Sequence, residues 1–179
     1  MKKSITMLCA LMIVCLFANS QTKKDSIYSI ETCQDKMTDK FYAFGSKSLL
    51  CSEDNKTGLL IRVSWNYKGE GEPEYAGLTC TSYKIGACVE NSTLIFLFDD
   101  DTKFKMAAWN KFNCEGNNYF DLRHKDFNSI NEKKVVAIRF DNGRSFESYT
   151  YKLKGKEQEF FIEAADAIAQ KRIVKGKCD

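Results

Sequence analysis

The chain has 179 residues, 27 Lys and Arg against 24 Asp and Glu, one histidine and eight cysteines. Interspersed charges of nearly equal number leave no basic footprint for nucleic acid. A single histidine, no CxxC pair and no nucleophile-elbow, P-loop or HExxH motif remove the usual signatures of serine, cysteine, nucleotide and zinc chemistry.

The N-terminus, MKKSITMLCALMIVCLFANSQ, begins with Lys2 and Lys3 and continues in an apolar run from Met7 to Ala18. Ala18 and Ser20 then supply small residues in the spacing a signal peptidase reads. The run is shorter than the roughly 20 residues a bilayer span takes, so residues 1–20 are expected to be a cleaved secretory signal. Leu8 and Val14 precede Cys9 and Cys15 where lipoprotein processing wants a small residue. The expected product is therefore periplasmic or secreted, with no membrane insertion after cleavage. Loss of Lys2 and Lys3 brings the formal charge from +3 to +1. Six cysteines remain, Cys33, Cys51, Cys80, Cys88, Cys114 and Cys178, and an even count in an exported chain points to disulfides.

Residues 21–32 are polar and without period, which predicts a flexible lead-in. A single disulfide-stabilised, β-rich domain is expected over 33–179. Lys40–Phe44 (KFYAF) and Ser48–Cys51 (SLLC) are candidate strands around Gly45. Leu59–Tyr67 (LLIRVSWNY) is a stronger one, and KGEGEP at 68–73 is a loop before strand character returns over Tyr75–Ile85. Two hairpins share a grammar: Thr93–Phe98, then Asp99-Asp100-Asp101, then Thr102–Trp109; and Val135–Phe140, then Asp141-Asn142-Gly143, then Arg144–Leu153. TLIFLF is apolar at alternate and intervening positions alike, which predicts a central strand. Asp121–Asn131 suits a short helical turn. Lys156–Arg172 carries Phe161, Ala165, Ile168 and Arg172 at helical spacing, with Phe160, Ala164 and Ala167 broadening the stripe and Gly176 as a stop. The fold class is α+β, mainly antiparallel β in a curved sheet or sandwich, with a C-terminal amphipathic helix packed on it.

Cys88 and Cys114 lie 13 residues before and after Asp101, so strands pairing around that turn bring the two thiols together. Cys33–Cys51 and Cys80–Cys178 are then the remaining pairs. Asp99 and Asp101 raise the question of a calcium ion, but adjacent side chains on a tight turn cannot all converge on one cation. The competing reading is a three-residue turn whose last position is left-handed, with Asp101 standing where the second hairpin has Gly143. No metal or other cofactor is expected. His124, in the charged stretch RHKDF, reads as a surface residue, and Glu70, Glu72 and Glu74 as solvated loop charges.

Aromatic side chains are frequent, and Trp65, Trp109, Tyr149 and Tyr151 are the candidates for an exposed stacking surface. The segments "CVENSTLIFLFDDDTKF", "WNKFNCEGNNYFDL", "IRFDNGRSFESYTY" and "DKMTDKFY" resemble small uncharacterised exported proteins of Bacteroidota. That resemblance implies a periplasmic or secreted β-rich domain and carries no activity with it. Three functions are weighed. The first is a non-catalytic binding or interaction domain, such as an inhibitor or immunity-type protein, whose partner is a protein or cell-surface component. The second is carbohydrate binding through exposed aromatics. The third is a small hydrolase using two carboxylates.

Overall fold

The computed structural model describes residues 27–38, 40–67, 73–122 and 130–176. The signal segment, His124, Glu70 and Glu72 lie outside them, as do the side chain of Glu74 and most of the helical turn expected within 121–131. The described residues form two sheets and a helix around one core. Among them, no helix is long and apolar enough to cross a membrane.

The larger sheet contains β1 (Ile30–Gln34), β2 (Phe41–Gly45), β3 (Leu49–Cys51), β4 (Gly58–Tyr67), β5 (Pro73–Tyr83) and β8 (Asn117–Leu122). β11 (Ile173–Lys175) completes it, in the order β11-β1-β2-β4-β5-β8. β4 is long enough to take β2 against Ser64–Asn66 and β3 against Leu59–Ile61, so these two strands lie end to end along one of its sides. The second sheet has the order β10-β9-β6-β7, from β6 (Thr93–Phe98), β7 (Lys103–Ala107), β9 (Val135–Asp141) and β10 (Ser148–Lys152). TLIFLF is β6 and is central, as its composition requires. Pairings are antiparallel except β11 with β1.

Strict alternation sorts the side chains. Leu59, Ile61, Val63 and Trp65 of β4, Leu78 and Cys80 of β5, and Phe120 and Leu122 of β8 are all buried. Leu94, Phe96 and Phe98 of β6 and Ile138 and Phe140 of β9 are buried from the other sheet. The helix, α1 (Phe160–Ala169), follows a 3-10 turn at Gly155–Glu159. Its buried stripe is Phe160, Phe161, Ala164 and Ala167. Phe161 meets Phe96 edge-on at 5.3 Å and Phe160 meets Tyr28 edge-on at 5.5 Å. Small alanines on the remaining turns let the helix backbone approach the core.

Several expectations need correction. The domain begins earlier than residue 33: Tyr28 and Ile30 are buried, because the ring of Tyr28 fills the space that Gly45 leaves without a side chain. The helix ends at Ala169, not near Arg172, with Lys171 in a left-handed conformation (φ 51°). The amides of Lys171 and Arg172 donate to the carbonyls of Ile168 and Ala167, a Schellman closure. The chain then enters β11, so Gly176 is no helix stop and Lys175 belongs to an edge strand. The second turn is also longer than three residues. Asp141 pairs with Ser148, leaving 142–147 as the loop.

Cys88 and Cys114 form a disulfide, next to an antiparallel bridge between Val89 and Asn113. The other two expected pairs do not form. Cys51 and Cys80 are free and buried, while Cys33 is disulfide-bonded. Cys51 and Cys80 sit on β3 and β5 with β4 between them, about two strand spacings apart and beyond the reach of a disulfide. Burial pushes the Cys51 thiol up to about 12 and that of Cys80 well above its usual range. Both are held as neutral, apolar thiols.

Candidate functional site

The face of the larger sheet turned away from the core carries the side chains of opposite parity. Phe44, Ser64, Gly77 and Asp121 are consecutive partners across β2, β4, β5 and β8. Arg62, Thr79 and Tyr119 form the next row. A groove of about 230 Å³ lies along these rows. Ser64, Gly77 and Thr79 form its low floor, Tyr42 and Phe44 one wall, and Trp109 and Tyr119 the other. The walls stand three strands apart, about 14 Å.

Each wall is a braced aromatic pair. The rings of Tyr42 and Phe44, two residues apart on β2, are parallel within 5° at 6.2 Å. The Arg62 guanidinium lies 4.7 Å over Phe44, and its Nε donates to the Gly45 carbonyl at 3.2 Å. Trp109 lies 5.4 Å from Tyr119. Its backbone is held along the free edge of β8: the Trp109 amide donates to the Tyr119 carbonyl, and Asn110 Oδ1 accepts from the Tyr119 amide at 2.8 Å. The Asn110 and Asn113 side-chain amides donate to the Asn117 carbonyl at 3.0 and 2.8 Å. The edge of β8 is thereby covered, and Trp109 is presented with 64 % of its surface exposed. On the far side of the Tyr42–Phe44 ridge, a wider groove of about 1070 Å³ runs toward Glu31, Gln34, Asp35 and Met37.

Of the four aromatics singled out from the sequence, the structure brings only Trp109 to this face. Trp65 and Tyr151 are buried, at 3 % and 5 % exposure, and Tyr149 is half-buried against the core. Trp65 shares parity with Ile61 and Val63, and that parity turns it inward. Tyr42 and Phe44 were missed, and Tyr119 was not singled out among the many aromatics. Their signal is alternation with buried neighbours, in FYAFG and NNYFDL, which identifies a face only once the core side of the sheet is known.

The acidic turn has the geometry of a closed three-residue turn. Asp101 has φ 63°, the left-handed last position of a three-residue turn closed by hydrogen bonds between Phe98 and Asp101 and between Phe98 and Thr102. The engaged carboxylate is the middle one. Asp100 accepts from Lys133 Nζ at 2.6 Å and from the Thr102 hydroxyl and amide. Lys133, with Thr102 after it, holds the Asp100 carboxyl down at about 2. Among the described residues, no group of three or more His, Cys, Asp and Glu side chains could hold a metal ion.

Fold and face together define an α+β protein of two sheets with an aromatic-walled groove on its solvent side. Comparison with protein-family models, curated proteins and solved structures finds no match to this chain.

Proposed function

We propose that this chain is an exported, non-catalytic binding domain of the periplasm or cell exterior, and that its ligand is a carbohydrate laid across the outer face of the larger sheet. The observation that carries the reading is the pairing of two braced aromatic walls with a low, polar floor. Sugar rings present apolar C–H faces, which pack on aromatic rings, and equatorial hydroxyls, which need hydrogen-bonding groups at the edges. Tyr42, Phe44, Trp109 and Tyr119 supply the first; Ser64, Thr79 and Asp121 supply the second. Walls already fixed by Arg62, Asn110 and Asn113 lose little freedom on binding. The Cys88–Cys114 disulfide fits an oxidising compartment.

The chain has two tryptophans, so in the W65F variant all tryptophan emission comes from Trp109. Titration with a panel of neutral soluble polysaccharides and their oligosaccharides should shift that emission. The same polysaccharides should retard wild-type protein, but not W109A or Y119A, in affinity gels. No binding across the panel, or retention unchanged in both variants, would overturn the reading.

A further inference from the structure

A second surface lies at one end of the molecule, where the 142–147 loop meets the segment from Lys84 to Ser92. Phe146, within that loop, has φ 59° and is 89 % exposed. A left-handed backbone is unfavourable for any residue with a Cβ and most of all for a bulky one. Full exposure of a phenyl ring adds a second cost, because its burial is among the larger stabilising contributions a side chain can make. Glycine would serve this left-handed position at lower cost, and the exposed ring adds no burial to the fold.

The loop around Phe146 is nevertheless anchored from within. Asn142 is completely buried. Its amide nitrogen donates to the carbonyls of Ile85 and Cys88 at 3.1 and 2.9 Å, and its Oδ1 accepts from the Arg144 amide. Its backbone closes the loop, donating to the Glu147 carbonyl and accepting from the Phe146 amide, both at 2.9 Å. Gly86 and Gly143 allow the two segments to touch: a Cβ on Gly143 would collide with the Asn91 carbonyl, and one on Gly86 with the Asn142 and Ser145 side chains. The Cys88–Cys114 disulfide fixes the supporting segment in turn. Beside the loop, the Arg144 guanidinium lies 4.5 Å over the ring of Phe112, itself 48 % exposed, and pairs with Glu90 at 3.4 Å.

We infer that this loop is a protein-docking knob, with Phe146 as the anchor that enters a phenyl-sized apolar pocket on a folded partner protein. Phe112 and Arg144 form the adjoining contact. A rigid aromatic beside an arginine is the composition of an interface hot spot, and prior immobilisation removes much of the entropic cost of docking. Glu90 and Glu147 beside the knob disfavour insertion into an anionic membrane. Their charges and that of Arg144 instead suit a partner whose pocket rim carries both signs. This surface is separate from the sheet-face groove and does not depend on what that groove binds.

The test uses the full chain with benzoylphenylalanine at position 146, irradiated in an envelope extract of the producing cells. A specific adduct is expected, competed by wild-type protein and by W109A, with roughly tenfold or more F146G needed for the same effect. The adducted protein, identified by mass and purified, should show the same loss of affinity for F146G. The thermal midpoint of F146G should stand at or above that of wild type, because glycine relieves the left-handed backbone. Absence of an adduct, an adduct of two copies of this chain, equal competition by F146G, or a lowered F146G midpoint would each overturn the proposal. So would Phe146-dependent flotation of wild type with phosphatidylglycerol vesicles.

Discussion

The two hairpin tips look alike in sequence and are held in different ways. At 99–101 the turn is closed by its own backbone, and Asp100 is bonded to Thr102 two residues away. Its distant partners are the neighbouring Lys133, through Asp100, and Lys134, whose carbonyl accepts from the Asp99 amide. At 142–147 the conformation is set from outside, by two carbonyls of the 84–92 segment accepting from a buried asparagine. The contrast shows why an analogy of pattern fails here. Asp101 does adopt the left-handed conformation expected of a turn's last residue, but Gly143 is not its counterpart. Gly143 is needed for close approach to Asn91, and the left-handed residue of the second tip is Phe146. One tip is local and solvated, and the other is a tertiary joint.

That difference predicts a graded response to mutation. Replacing Cys88 and Cys114 together by alanine should cost about 2–4 kcal/mol, read from denaturant unfolding with each protein's own m-value, since loss of the cross-link expands the unfolded chain. Hydrogen exchange should accelerate in 84–92 and 142–147 and stay unchanged at the 99–101 tip; equal acceleration at both tips would erase the distinction. Asn142→Ala should cost about 2–3 kcal/mol, since it strands the buried Ile85 carbonyl and the half-buried Cys88 carbonyl and frees the loop. A loss under about 0.5 kcal/mol would mean water replaces the asparagine. Asp101→Gly should stabilise the protein by up to about 1 kcal/mol by relieving the left-handed backbone. Destabilisation instead would reveal a partner for that carboxylate.

The smallest effect is expected from Asp100. Its carboxyl is held at about 2 against an ordinary value of 3.8, mainly by Lys133 and then by Thr102. A depressed folded-state value contributes stability above the unfolded value and loses it as pH falls through the folded one. Stability should therefore decline between about pH 4 and pH 2, by an amount solvent screening keeps small, and Asp100→Asn should flatten that part of the acid limb.

Elements with a strong local period were legible. TLIFLF, LLIRVSWNY and the helical stripe around Phe161 each carry enough apolar residues at one spacing to identify themselves. The Cys88–Cys114 pair was legible because the hairpin returns the chain toward Cys88, although its ladder is centred on Asp100 and the cysteines meet beside the separate Val89–Asn113 bridge. Lys171 misled because glycine is the usual left-handed helix terminator and lysine gives no such signal. Tyr28 and Ile30 misled because two apolar residues are too few to show a period, although both are buried.

Local chemistry along the chain thus determined the strongly periodic strands, the helix, the first turn and one disulfide, whereas β1, β8 and β11 are strands that no strong local period announced. Which side of each strand faces water was decided only by tertiary structure. Parity within a strand is visible in sequence, but its sign depends on where the second sheet and the helix pack. That sign buried Trp65 and Tyr151, turned Tyr42, Phe44 and Tyr119 to the outer face, and made a groove of residues that no single segment contains.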